Sequence, residues 1–329
     1  MHQIGNLLYE KLLGPIDEDF GESILSIPDE DLASISFAAL NRNMPSQPYD
    51  YLSADYLTSN HTLTYHYSLK LAAQMLSHNT QAKRPPISFT PTIGEVRLAP
   101  TPMSDTIILP PLYFSNAEAQ LIVDKLDGEI LSNINHVDSF INQLKHRSLF
   151  HIGSHVILNN EFPDQSMLPY FDSAGHLQTF NSYEFYKEPL DIDLTIVNAC
   201  HAGAGQTTEG RGLLSFVSGL ARADVKSIIS PKWTIEDRLG KVFFEDLISN
   251  LNQNLSASQA LRQTQINIIE RNDPIQSHPR YWAPYFLIGD PDVEIGQNTQ
   301  IGKWIIYGSL LALVLFFIWR YIGKQNKNT

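Results

Sequence analysis

Short apolar runs alternate with longer amphipathic stretches over most of the chain. Three early runs, "SILSIP" at 23–28, "PISFTPT" at 86–92 and "TIILP" at 106–110, are apolar or β-branched and are closed by proline. Such runs are typical of short strands. Two later runs, "SLFHIGSHVIL" at 148–158 and "DLTIVNAC" at 193–200, are more continuously apolar. The second has the pattern of a strand buried on both faces of a parallel sheet.

Helical patterns lie between these strands. The segment "SNAEAQLIVDKLDG" at 115–128 places Ser115 and Glu118 at the spacing of an N-terminal capping box. The segment at 256–272 does the same with Ser256 and Gln259, and 234–251 is a long amphipathic stretch. Strands that alternate with helices predict a layered α/β fold with a largely parallel central sheet.

The C-terminal segment has a different pattern, since it is almost free of charge for about 20 residues. It predicts a transmembrane helix over 304–322, after a linker at 299–303 and before a basic tail at 323–329. The start of the chain does not resemble a signal peptide, which favours a cytoplasmic domain with a single-pass C-terminal anchor. The basic tail favours the opposite orientation, so a periplasmic or extracellular domain stays open.

The composition of the chain excludes several kinds of binding site. The net charge of -12 argues against a broad nucleic-acid surface, because lysine and arginine contacts to phosphate would be scarce. A single cysteine in 329 residues excludes internal disulfides and multi-cysteine metal sites. We therefore expect no metal and no organic cofactor. Cys200 is either a small packing residue or a nucleophile paired with a histidine elsewhere in the chain.

Cys200 and His155 both follow apolar runs, and 45 residues separate them. The carboxyl ends of parallel strands share one sheet edge, and neighbouring strands lie about 4.8 Å apart. An imidazole beside a thiol can take its proton, and backbone N–H groups nearby can hold an oxyanion. The glycine at Gly203 permits the sharp turn that this arrangement needs. The pattern predicts acyl transfer, most simply peptide hydrolysis.

Two alternatives remain at this point. His151 lies on the same face of a regular strand as His155, so it is an alternative base. The segment "GAGQTTEGRG" at 203–212 suggests a phosphate-binding loop, but it lacks the lysine followed by serine or threonine of that motif.

Several segments together resemble a known family. "SLFHIGSH", "LTIVNACHAGAG", "EGRGLLSF", "ADVKSIISPKWTIED" and "HPRYWAPYFLIGD" are similar, in order, to blocks of the CHAT domain, a caspase-like and separase-related family of cysteine peptidases. The resemblance covers about residues 7–292. It implies a domain at 1–298 with an N-terminal half to about 110 and a catalytic half at about 111–298.

The resemblance also implies residue roles. It assigns the nucleophile to Cys200 and the base to His155, with an oxyanion donor in the turn from Gly153 to Val156. Val156 stands where the family usually has glycine, which puts that donor in doubt. Ser230 and Trp233 fall in the segment that lines the substrate groove of caspase-like enzymes.

The sequence therefore predicts a membrane-anchored cysteine endopeptidase that acts on a protein or peptide and is controlled by a separate regulatory protein with repeats. The alternative is a caspase-like interaction module that has lost catalysis and docks a protein partner at the membrane.

Overall fold

Fourteen strands and nine α-helices, with five short 3-10 helices, are present in the part of the chain that the structure describes. The structure is a computed structural model, and it describes residues 2–47, 49–76, 83–91, 96–98, 107–131, 134, 136–159, 162–198, 200–201 and 211–295. The strands are β1 (Ser23–Ser26), β2 (Thr62–Tyr65), β3 (Ile87–Phe89), β4 (Val96–Leu98), β5 (Ile107–Leu109), β6 (Glu129–Ile130), β7 (Leu149–Ile152), β8 (His155–Val156), β9 (Met167–Phe171), β10 (Leu177–Asn181), β11 (Ile192–Val197), β12 (Cys200–His201), β13 (Val225–Pro231) and β14 (Tyr285–Gly289). The helices are α1 (His2–Leu12), α2 (Leu57–Asn60), α3 (Leu69–Met75), α4 (Ser115–Leu126), α5 (Val137–Leu144), α6 (Arg211–Arg222), α7 (Asp237–Leu251), α8 (Ala257–Glu270) and α9 (Pro279–Trp282).

Eight strands form the central sheet in the order β1-β2-β14-β13-β11-β7-β3-β6. All neighbouring pairs are parallel except β13 and β14, which are antiparallel. This confirms the predicted mixed α/β fold with a mostly parallel sheet. Strands on both sides of residue 110 enter the same sheet, because β3 lies between β7 and β6 while β2 pairs with β14. The two predicted halves therefore share one sheet.

The central strands are apolar because both faces of the sheet are covered. Alternate residues of β7 enter different packed layers: Phe150 and Ile152 join one core cluster and Leu149 the other. Helices α5 and α6 cover the first face, whereas α7 and α8 cover the second. This alternation follows from the two-residue period of a strand.

The two predicted capping boxes have different outcomes. Ser256 and Gln259 form theirs at the start of α8, as predicted. At α4 the helix is present, but Ser115 is its first helical residue and the preceding Phe114 makes no side-chain cap. Glu118 is buried and its Oε1 accepts from Asn198, so it does not cap the helix. The capping-box prediction at α4 is therefore wrong.

The predicted membrane helix at 304–322, the linker at 299–303 and the tail at 323–329 all lie outside the described residues. Among the residues that are described, no helix is both long and apolar enough to cross a bilayer.

Candidate active site

The strand register brings His155 and Cys200 together at the carboxyl edge of the sheet. In the central sheet, Leu149 pairs with Leu194 and Ile152 with Val197. The short strands β8 and β12 then pair in parallel, with His155 opposite Cys200. The separation of 45 residues is the same in all three pairs. The strands β8 and β12 thus continue the register of β7 and β11 beyond a break of two residues in each chain segment.

The His155 ring is fixed by a backbone carbonyl. Its side chain is 1% exposed, and its Nε2 atom lies 2.7 Å from the carbonyl oxygen of Pro110, just after β5. A carbonyl oxygen only accepts, so Nε2 carries the proton and donates it. In the neutral ring, Nδ1 is then the nitrogen with a lone pair, which is the form a general base requires.

His151 occupies a different environment. It is fully buried, its Nδ1 lies 2.9 Å from Oγ of Ser88, and its ring packs 4.3 Å from the ring of Phe244 on α7. Burial lowers the pKa of His151 to about 3. The structure therefore favours His155 as the base and places His151 in the core beneath α7.

A cluster of four polar side chains, three of them buried and one half-buried, lies directly behind this edge. We call Glu118, His151, Asn198 and Tyr285 the strand-end cluster. Nδ2 of Asn198 donates to Oε1 of Glu118 across 2.6 Å, and the hydroxyl of Tyr285 donates to Oδ1 of Asn198 across 2.9 Å. Nε2 of His151 lies 3.4 Å from Oε2 of Glu118. Burial, reinforced by the negative charge of Asp237, raises the pKa of Glu118 well above its usual range.

The predicted oxyanion turn has mixed support. The Gly153 N–H donates to the carbonyl oxygen of Phe89 across 2.9 Å, so this donor is already engaged in the sheet. An oxyanion donor elsewhere in the turn from Gly153 to Val156 stays a prediction. Glycine is needed there for space, because a Cβ atom would lie 2.8 Å from Cε1 of His151. Val156 is fully buried in β8 and has no positive φ. Gly203 lies outside the described residues.

The predicted groove residues lie at the end of β13. Ser230 is fully buried and pairs with Phe286 of β14. Trp233 is half-buried, and its Nε1 donates to the carbonyl oxygen of Arg280 across 2.9 Å. Between them, the buried Lys232 donates to the carbonyl oxygen of Ala33 across 2.6 Å, and burial lowers its pKa to about 8. A groove role for Ser230 and Trp233 stays a prediction.

Sequence comparison agrees with this geometry. The model of the CHAT domain family matches residues 2–290. The chain belongs to the CHAT domain family. No match is found among the curated proteins. Within the described residues of this CHAT domain, no group of three or more His, Cys, Asp or Glu side chains is arranged to hold a metal.

Comparison with solved structures finds matches at low sequence identity. The Arg-specific cysteine proteinase gingipain R is 14% identical with a TM-score of 0.47, and the match covers 89% of this CHAT domain chain and 67% of that chain. The complex of Porphyromonas gingivalis RgpB pro- and mature domains gives 12% identity and a TM-score of 0.50, over 89% and 68%. The Saccharomyces cerevisiae separase–securin complex is 14% identical with a TM-score of 0.43, and the match covers 73% of this chain and 15% of that chain.

Two features of the site were missed by sequence reasoning. The Pro110 carbonyl has no side-chain signature, so no pattern could have marked it. Glu118 and Asn198 could have been found, since a carboxylate on an otherwise apolar helix face and an amide two residues before the only cysteine are both visible in the sequence.

Proposed function

We propose that this CHAT domain is a cysteine endopeptidase with Cys200 as nucleophile and His155 as general base. The observation that carries the proposal is the register pair of His155 and Cys200 at the sheet edge, next to the Pro110 carbonyl that fixes the His155 tautomer. The fold that it shares with cysteine peptidases makes the proposal reasonable, but fold alone does not imply activity.

The reaction follows from these roles. Nδ1 of His155 takes the thiol proton, and the sulfur of Cys200 attacks the scissile carbonyl carbon. The tetrahedral intermediate collapses to a thioester as the peptide C–N bond breaks, and the amine leaves with the proton from His155. Water then attacks the thioester with His155 as base, which releases the acid and restores the thiol.

The oxyanion needs donors that are not already engaged in the sheet. Since the Gly153 N–H donates to Phe89, we assign the oxyanion to the N–H of Cys200 and to one N–H from residues 154–156. The peptide would lie extended beside the end of β13, near Ser230 and Trp233.

The test uses the single cysteine. A peptide-based thiol electrophile should label the wild-type protein at Cys200, and Cys200→Ala should lose the label while its circular dichroism spectrum is unchanged. Cleavage of a mixed peptide library should be lost in the same variant. Equal labelling or equal cleavage by Cys200→Ala would contradict the proposal.

Val156 favours a second candidate, an interaction module without catalysis. Its side chain is fully buried, at a position where CHAT domains usually have glycine. The rate of iodoacetamide alkylation against pH separates the two candidates. An ordinary thiol titrates near pKa 8.5, and an activated one titrates lower.

Membrane attachment is a further part of the proposal. We propose that residues 304–322 anchor the protein in the bilayer with the domain in the cytoplasm, and that a separate repeat protein regulates it. Alkaline carbonate extraction of the full chain, compared with a chain ending at residue 298, tests the anchor. Protease access to the domain in intact cells tests the orientation.

A further inference from the structure

Glu118 lies beside both chain segments that lead to the proposed dyad. Its side chain is 3% exposed. Oε1 accepts from Asn198, and a Cβ atom placed on Gly153 would lie 3.2 Å from Oε2. Gly153 comes two residues before His155, and Asn198 comes two residues before Cys200. One carboxyl group is therefore hydrogen-bonded to the segment before Cys200 and lies next to the segment before His155, each two residues from the dyad.

The surroundings hold this carboxyl group in place. Oδ2 of Asp237 on α7 accepts from the N–H groups of Tyr113 and Phe114, across 2.8 and 3.3 Å, at the start of the helix that carries Glu118. The Asn198 amide is also held on its other side by the hydroxyl of Tyr285. Glu118 is therefore hydrogen-bonded to Asn198, just after β11, and lies on a helix whose start is hydrogen-bonded to Asp237 of α7.

We propose that Glu118 is a positioning residue that fixes the separation and orientation of the His155 and Cys200 segments. This inference rests on the proposed peptidase function. It goes beyond the dyad because Glu118 acts only through Gly153, His151 and Asn198.

The neutral acid suits this position better than the carboxylate. The charged groups of α7 that act on Glu118 are Asp237, Lys241 and Glu245, and Lys241 is already paired with Glu245 across 2.6 Å. From β7 the site faces His151, which burial keeps neutral. A protonated Glu118 can accept from Asn198 at Oε1 and donate from Oε2 towards Nε2 of His151. Deprotonation would leave a buried charge and remove the donor towards His151, although Oε1 would still accept from Asn198.

The experiment compares Glu118→Ala, Glu118→Gln and a matched control. The control is Asp124→Asn, an exposed carboxylate on the same helix. Each full-length variant is assayed for kcat and KM on a peptide cleaved by the wild type, for the pH profile of Cys200 alkylation by iodoacetamide, and for thermal unfolding. Glutamine reproduces the acceptor and donor of the neutral acid but cannot titrate.

We expect Glu118→Ala to lower kcat by about 10- to 100-fold with little change in KM, since small displacements of reacting groups have effects of this size. Its alkylation profile should shift towards that of an ordinary thiol. Glu118→Gln should keep a kcat close to that of the wild type. Any decline of kcat at alkaline pH that comes from deprotonation of Glu118 should be absent from this variant. Asp124→Asn should match the wild type.

The failures of the two proposals are distinguishable. An ordinary alkylation profile with no cleavage in the wild type would overturn the peptidase function. An active wild type, with Glu118→Ala equal to it in kcat and alkylation profile, would overturn the positioning role alone. If Glu118→Ala does not fold, Asn198→Ala decides, because it removes the same hydrogen bond from the other side and should give the same loss of kcat.

Discussion

Nε2 of His155 donates a 2.7 Å hydrogen bond to the carbonyl oxygen of Pro110, and this bond determines which ring nitrogen can act as a base. A peptide carbonyl cannot change its role as acceptor, so the ring keeps its Nε2 proton throughout the neutral state. The Pro110 carbonyl oxygen also stabilises the imidazolium that forms when Nδ1 of His155 takes the thiol proton. A backbone group thus does what a carboxylate does in other catalytic arrangements.

The first prediction separates the two histidines. His155→Gln should lower kcat/KM by about 10²- to 10⁴-fold, the usual contribution of a general base. His151→Gln should retain far more activity, because His151 is buried beneath α7 and lies beside Glu118 and Gly153 rather than in the dyad. Steady-state kinetics on one cleaved peptide measure both. A greater loss in His151→Gln than in His155→Gln would contradict the assignment of the base.

The second prediction concerns acid stability. His151 has a pKa of about 3 in the folded protein because burial opposes its charge, whereas an unfolded histidine titrates near 6.5. Between these values the unfolded chain binds a proton that the folded protein does not, so stability is lost as pH falls below 6.5. The loss between pH 6.5 and pH 4 should be about 3 kcal/mol.

His151→Gln, which cannot titrate, should remove this pH dependence. Its Tm should be lower than that of the wild type at pH 7, where the contact with Phe244 is lost, but it should fall less between pH 7 and pH 4. Thermal unfolding at a series of pH values measures the difference. Parallel Tm curves for both proteins would show that His151 is not the titrating group.

The pairing of His155 with Cys200 could be predicted from the sequence, but the contacts that hold these two segments in place could not. Apolar runs ending near His155 and Cys200 predict two parallel strands that end at one edge of the sheet. His155 then pairs with Cys200 because paired residues of the two segments differ by 45 in residue number throughout. The role of Glu118 was obscured because its spacing from Ser115 matches a local capping box, while its contacts are with Gly153, His151 and Asn198. Contacts between residues far apart in the chain, such as Pro110 with His155, depend on tertiary packing and leave no local pattern.

The third prediction uses Val156. Because its side chain is fully buried in the core, Val156→Gly should lower the free energy of unfolding by about 2–4 kcal/mol, from lost apolar burial and added backbone freedom. It should not raise kcat, since the backbone at Val156 already lacks a positive φ that only glycine would favour. Urea denaturation and peptide kinetics measure the two effects.

The control for Val156→Gly is Leu69→Ala, a large apolar residue that is 76% exposed on α3. It should change the unfolding free energy by no more than about 0.5 kcal/mol. A Val156→Gly protein as stable as the wild type would contradict the effect of burial, and one with increased kcat would mean that valine at this position impairs the oxyanion site.

The fourth prediction concerns buried charges at the start of the central strands. Asp193 in β11 lies 2.8 Å from Nζ of Lys226 and 3.6 Å from Nζ of Lys83, and both lysine side chains are less than 10% exposed. Removing the charge from Asp193 leaves Lys226 buried beside a neutral amide. Since loss of one partner from a buried ion pair typically costs about 3–5 kcal/mol, Asp193→Asn should destabilise the domain by about 3 kcal/mol.

Glu188→Gln provides the matched control, because Glu188 also pairs with a lysine, Lys145, but its side chain is 60% exposed. Glu188→Gln should lower the free energy of unfolding by less than about 1 kcal/mol, since solvent screens an exposed ion pair. Urea unfolding at low and high salt compares the two variants. The loss in Asp193→Asn should persist in high salt, because counterions do not reach a buried pair, whereas any loss in Glu188→Gln should shrink. Equal, salt-sensitive losses would mean that the Asp193 pairs are hydrated like surface pairs.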